Sequence, residues 1–202
     1  MAILDWTSIW LILCCTFLIF YTAKLYTLKK ALADLFICLG VIVLLGTNIV
    51  YLVDSELVLY IRWGNILTTT FLVSSIFSLI RESKPVFARF PLYLVYLPFI
   101  TLIFYPLIMN THVISNIVLG TFQAGAIITS LLIYALKQSM GENYGYRIVS
   151  ILVLLIAFII FWFPISFEFS THVTTELLIG FASLIFSYDI YRNNFKRIAD
   201  EN

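Results

Sequence analysis

The sequence predicts an all-α membrane protein of seven transmembrane helices, with the N-terminus outside and the C-terminus cytoplasmic. Three observations lead there. The first is composition. Of 202 residues, 62% are hydrophobic and 11% charged, with a mean hydropathy of +1.03, whereas a soluble domain carries about 25% charged residues. So few charges do not coat a water-exposed surface. The balance excludes a soluble enzyme, a disordered segment and a nucleic-acid binder, which needs a basic face. The second is the recurrence of apolar runs of about 20 residues, the length a helix rising about 1.5 Å per residue needs to cross a core of about 30 Å. The third is the side-alternating placement of basic residues. No run alternates with period two, and open sheet edges do not occur in lipid, so strands are not expected.

The spans follow in order, as one domain over residues 1–202. The first covers about 6–25. Asp5 stands where a secretory leader carries positive charge, and no small-x-small cleavage pattern follows. Lys24, Lys29 and Lys30 close the run, so it reads as a retained helix. The second, 32–53, has Asp34 near its start, and the third, 57–80, carries Arg62 and a polar series. The fourth, 90–109, contains Pro91, Pro98 and Pro106; the later two remove helix hydrogen bonds and predict kinks. The fifth, 112–136, has no charge between residues 113 and 136. The sixth, 147–166, bends or ends at Pro164, and the seventh, 172–191, carries Glu176 and Asp189 near its two ends. The connections are short, so neighbours run antiparallel. Asp189 lies three residues before Arg192, which predicts an intrahelical pair.

Charge sets the orientation. Lys24, Lys29, Lys30, Arg81, Lys84, Arg89, Lys137, Arg147, Arg192, Lys196 and Arg197 fall at one set of helix ends, and Arg62 falls toward the other. The opposite ends carry Asp5, Asp54, Glu56, Glu168 and Glu176. The positive-inside bias places the basic ends in the cytoplasm, which requires an odd number of crossings. Trp6, Trp10, Tyr60, Trp63 and Trp162 fall at the outer level, where amphipathic rings anchor at headgroup depth. The expected location is an integral membrane, the plasma membrane in particular.

Polar residues inside the membrane mark the candidate site. An Arg in hydrocarbon costs about 3 kcal/mol on insertion scales. Arg62 either snorkels outward or faces the bundle interior, with Glu176 on the seventh span as the preferred partner. Arg62, Asn65 and Thr69 follow i, i+3, i+7 spacing and share a helix face. Asn116 and Gln123 on the fifth span and Glu176 on the seventh reach comparable depth. Together they predict a polar vestibule open to the outside, or interhelical glue. Asp54, Glu56, His112, Glu168 and His172 are further outer-face contributors. Two histidines do not complete a zinc site, which takes three or four protein ligands. No metal or other cofactor is expected.

Thr111-His112-Val113 opens the fifth span and Thr171-His172-Val173 the seventh, with each Thr a candidate N-cap. At the same offset Asn116 matches Glu176 and Gly120 matches Gly180. This is either an echo of helix duplication or chance with shared capping chemistry. Gly40, Gly46, Gly120, Gly125 and Gly180 offer close packing. Cys14, Cys15 and Cys38, all within spans, give no disulfide framework.

The third span resembles the corresponding helix of microbial rhodopsins. Arg62, Asn65, Thr69 and Thr70 stand where that family carries an Arg, a carboxylate three residues later and a Thr-Thr pair. Seven helices and an external N-terminus agree with it. The pattern departs where the chemistry is decided: Asn65 replaces the carboxylate, and the seventh span has no lysine for a retinal Schiff base. Neither light sensing nor proton pumping follows.

The functional expectation is a compact sensory or regulatory protein that binds a small ligand or a membrane-protein partner through the outer vestibule, with lipids around it and no nucleic acid. The alternative is a small-solute transporter, supported by the helix echo and the prolines. A lipid-acting enzyme ranks last, because no nucleophile–base pair or acid dyad is present.

Overall fold

The computed structural model describes residues 3–54, 56–84, 88–108, 111–163 and 171–196. Pro164, Glu168 and Arg197, and the side chains of Asp5, His112 and Lys196, lie outside the described residues. The described residues form seven α-helices: α1 (Ile3–Lys29), α2 (Leu32–Val53), α3 (Val58–Ser83), α4 (Ile100–Ile108), α5 (His112–Ser139), α6 (Gly145–Trp162) and α7 (Thr171–Ile190). A 3-10 stretch, Leu92–Phe99, leads into α4, and a π turn, Tyr191–Lys196, follows α7. Six of the helices are long and apolar enough to cross a membrane.

α1 wedges between α2 and α7 because its apolar residues keep helical spacing. Leu11, Cys15, Leu18 and Leu25 form one buried stripe, joined by Val41 of α2 and Ile190 of α7. The three cysteines are buried and free. Around the bundle α2 packs on α3, α3 on α5, α5 on α6, and α6 on α7. Large apolar side chains such as Phe17, Phe20, Ile103 and Leu107 point outward. In water such a surface marks a contact site; over a whole bundle it is what a lipid-facing exterior requires.

The helix joints have local causes. α1 stops at Lys30, whose φ of 51° is left-handed, and its N–H returns to Tyr26 O at 2.7 Å. Between α2 and α3 the Asp54 carboxylate accepts the Glu56 N–H at 2.9 Å, closing a short turn. After α5, Gly141 takes φ 89° and the Glu142 N–H reaches back to Lys137 O at 3.2 Å, a Schellman-type stop. The expected Thr111 cap does not form: Thr111 precedes α5 in extended conformation, and its side chain makes no capping bond.

The fourth element is a broken rod rather than one kinked α-helix. Pro98 sits inside the 3-10 stretch and Pro106 inside α4. It runs antiparallel along α3: Phe90 meets Phe77, Phe99 meets Phe71, the Thr101 hydroxyl approaches Thr70, and Tyr105 packs on Trp63. The chain therefore travels the length of the bundle between α3 and α5. As a result α1, α3, α5 and α7 all begin at one end of the bundle, the first end, and finish at the second.

Candidate functional site

A cavity of about 500 Å³ opens among the helices toward the first end. Its walls come from the starting halves of α3, α5 and α7 and the finishing halves of α2 and α6, with Leu11 of α1. Arg62, Asn65 and Thr69 line it from α3, Gln123 from α5, and His172 and Glu176 from α7. Helical spacing brings these side chains inward, as i, i+3, i+7 on α3 and i, i+4 on α7. α3 and α7 lie across the ring from one another, so Arg62 and Glu176 approach from opposed walls.

Glu176 is 4% exposed, and α1 supplies its hydrogen bonds. Thr7 Oγ1 donates to Oε2 at 2.5 Å and Ser8 Oγ to Oε1 at 2.9 Å. His172 Nδ1 lies 3.6 Å from Oε1, beyond hydrogen-bond reach. The His172 ring stacks on Tyr51 of α2 with centroids 4.9 Å apart and planes at 22°. The acid thus ties α7 to α1, while the His172 ring packs α7 on α2. Gln123 Oε1 accepts the Trp162 indole N–H at 2.9 Å, so a residue expected as a headgroup anchor instead positions the α5 amide. The Thr69 hydroxyl donates to Asn65 O at 2.8 Å.

The other outer residues fall elsewhere. Asn116 is exposed on α5 and outside the cavity wall, so the matched positions Asn116 and Glu176 do not build a symmetric site. Asp54 and Glu56 are exposed in the α2–α3 turn. Glu168 and the His112 side chain are outside the described residues. Among the described residues no group of three or more His, Cys, Asp or Glu side chains gathers as a metal site.

A second polar centre lies at the second end. The predicted Asp189–Arg192 pair does not form, because the α6 residue Arg147 reaches Asp189 across the helix interface. Arg147 Nε donates to Oδ2 at 2.9 Å and Nη2 lies 2.8 Å from the same oxygen. The Asp189 side chain is fully buried and that of Arg147 10% exposed. The guanidinium is caged by Tyr134, Tyr144 and Phe186, with ring centroids 4.9–5.1 Å away. Asn193 in the π turn donates to Asp189 Oδ1 at 3.0 Å and to Asn143 O at 2.7 Å. Arg192 turns instead to the face of Tyr146, 5.1 Å from its centroid. Burial pushes the Tyr144 phenol up to about 12, with Arg147 acting against the shift. A wider cavity of about 860 Å³ adjoins this centre, with Lys29, Asp34, Glu82, Lys137 and Arg192 on its walls.

Sequence reasoning missed Thr7, Ser8 and Tyr51, and the aromatic cage of Arg147. A signal for the first pair was present: two adjacent hydroxyls one turn into α1, at the depth where Glu176 enters on a parallel helix. No protein-family model, curated protein or solved structure matches the chain. The chain is a compact polytopic helical membrane protein by its composition and its fold.

Proposed function

We propose that the protein is a sensory or regulatory component of the cell membrane, its N-terminus outside and its C-terminus cytoplasmic, that takes a small ligand into the cavity at the first end. It is a binding protein rather than an enzyme. The observation that carries the reading is the convergence of Arg62, Asn65, Gln123, His172 and Glu176 from three helices on one cavity of about 500 Å³, a volume typical of small-molecule sites. α7 is the natural transmitter. Its first half holds Glu176 against α1, and its last turn holds Asp189 against α6, about 20 Å further along the helix. A ligand that moves Glu176 relative to Thr7 and Ser8 also loads the Arg147 cage. Thermal unfolding of the protein in phosphatidylcholine nanodiscs, screened against a broad panel of small molecules, tests this. Stabilising compounds are expected to lose their effect in Arg62→Ala and Glu176→Ala proteins that retain native circular dichroism. Stabilisation that survives both substitutions would refute the site.

The pair of cavities at opposite ends favours one second reading, a small-solute transporter with alternating access. Flux of a panel compound into protein-bearing liposomes, absent from empty ones, would select it over the receptor.

A further inference from the structure

We propose that the two cavities are the halves of one path for small uncharged solutes, closed at mid-membrane by an apolar plug centred on Ile76 of α3 and Ile151 of α6. This names the substrate class and the gate for the transporter reading and rests on it. The cavities take up the same helix faces. On α3 the first-end cavity is lined as deep as Leu72, and the second-end cavity resumes at Leu79 and Glu82. Ile76 follows Leu72 by four residues and precedes Leu79 by three, the spacing that keeps one face. On α6 the first-end lining stops at Leu154 and the second-end lining takes over at Arg147. Ser150 and Ile151 fill that step. The Ser150 hydroxyl is turned to Ala182 O of α7 at 2.8 Å, so Ile151 is left as the apolar stop.

The plug is thin and shut. Leu72 and Leu79 are seven residues apart, as are Arg147 and Leu154, so about 10 Å of helix separates the cavities at 1.5 Å per residue. Ile76 is 7% exposed, Ile151 4% and Tyr134 of α5 5%, which leaves no open lumen past them. Tyr134 and Phe186 of α7 also pack on the Arg147 guanidinium, so the plug and the cage move as one unit. The class of solute follows from what the plug lacks. No Asp, Glu, Lys, Arg or His stands between Leu72 and Leu79, between Arg147 and Leu154, or between Ile127 and Lys137 on α5. Arg147 at its edge is already paired with Asp189. An ion stripped of water meets no counter-charge there and bears its desolvation unaided. An uncharged solute escapes that penalty, and side-chain amides in both cavities, Asn65 and Gln123 at the first end and Asn194 at the second, offer it hydrogen bonds.

Stopped-flow swelling of phosphatidylcholine vesicles carrying the full chain, under inward gradients of urea and glycerol, tests the inference. Parent vesicles should swell faster than empty ones. Ile76→Ala and Ile151→Ala thin the plug and should each speed entry of both solutes severalfold, while potassium, followed by a fluorescent indicator, stays excluded. Leu132→Ala, on the outward face of α5 and 64% exposed, should leave the rates at the parent value. A second measurement needs no enlarged plug. Single cysteines at Asn65 and Ile76, in a background lacking Cys14, Cys15 and Cys38, should differ in reaction with a water-soluble thiosulfonate: the first labels and the second is protected. The inference falls if both alanine variants, with native circular dichroism, pass urea no faster than the parent, if potassium follows urea through them, or if the cysteine at Ile76 labels as fast as that at Asn65. A parent that carries a panel compound while both alanine variants change nothing removes the plug and leaves the transporter standing. A panel that never crosses the parent membrane removes both.

Discussion

Asp189 shows how much one buried charge constrains. Its carboxylate is held by Arg147 and Asn193 at full burial. Asp189→Ala leaves the caged guanidinium without its anion, and breaking a buried pair from one side costs about 3–5 kcal/mol. Denaturant unfolding in detergent should show that loss. Arg147→Met combined with Asp189→Leu should recover most of it, because no buried charge is then left uncompensated. Tyr144 adds a pH signature. Its phenol is raised above the usual value of 10 to about 12, chiefly by burial. The folded state thus prefers the neutral form, and the contribution is complete below pH 10 and fades as pH climbs through 12. Comparing the parent with Tyr144→Phe across that window should show the parent alone losing this increment. Neither role was legible in sequence. Asp189 and Arg192 are three residues apart, whereas Arg147 is brought in only by the packing of α6 on α7.

Between elements, the glycines differ in how much room surrounds them, and four mark the extremes. A Cβ built on Gly180 would collide with the Trp10 indole, and one on Gly64 with the Thr47 side chain. Nothing lies within 4 Å of such an atom at Gly46 or Gly125. Gly180→Ala and Gly64→Ala should therefore each destabilise by about 1–3 kcal/mol, the usual range for overpacking. Gly46→Ala and Gly125→Ala should leave stability unchanged or slightly raised, since Ala is the better helix former. Thermal melts of the four variants check the contrast. A Trp10→Ala change should relieve Gly180→Ala and leave Gly64→Ala unaffected. Sequence pattern names Gly180 and Gly46 alike as packing positions. Only the α1–α7 contact tells them apart, because the neighbour comes from a distant stretch of chain. Small hydroxyl residues act similarly on α3, where Thr70, Ser74, Ser75 and Ser78 are buried and let α2 and the fourth element approach closely.

For the molecule as a whole the decisive element is the irregular fourth one. Seventeen α-helical residues reach only about 25 Å. A 3-10 helix rises about 2.0 Å per residue, so the stretch around Pro98 lengthens the rod toward the hydrocarbon thickness of about 30 Å. This lets Leu92–Ile108 return the chain from the second end of α3 to the first end of α5. This places the starts of α1 and α7 at the same end of the bundle, the geometry that a seventh crossing through the fourth element would need. Single cysteines placed at Ala88 and Thr111, in a background lacking Cys14, Cys15 and Cys38, should react with a membrane-impermeant maleimide from opposite sides of sealed vesicles. Reaction of both from one side would reduce the count to six and put the two termini together.

Composition and run length alone determined the class of this protein, its helical content and the approximate place of each helix, because desolvation of backbone in lipid admits few other solutions. Residue spacing also placed Arg62, Asn65 and Thr69 on one face, since helical periodicity is local. Tertiary structure alone decided that Glu176 is held by Thr7 and Ser8, that Asn116 stands apart, that Trp162 positions Gln123, and that Asp189 pairs with Arg147. Those contacts join residues 39 to 169 positions apart. Their geometry is set by which helices pack as neighbours, and in lipid that choice rests on shape and small-residue fit rather than on any periodic signal within one helix.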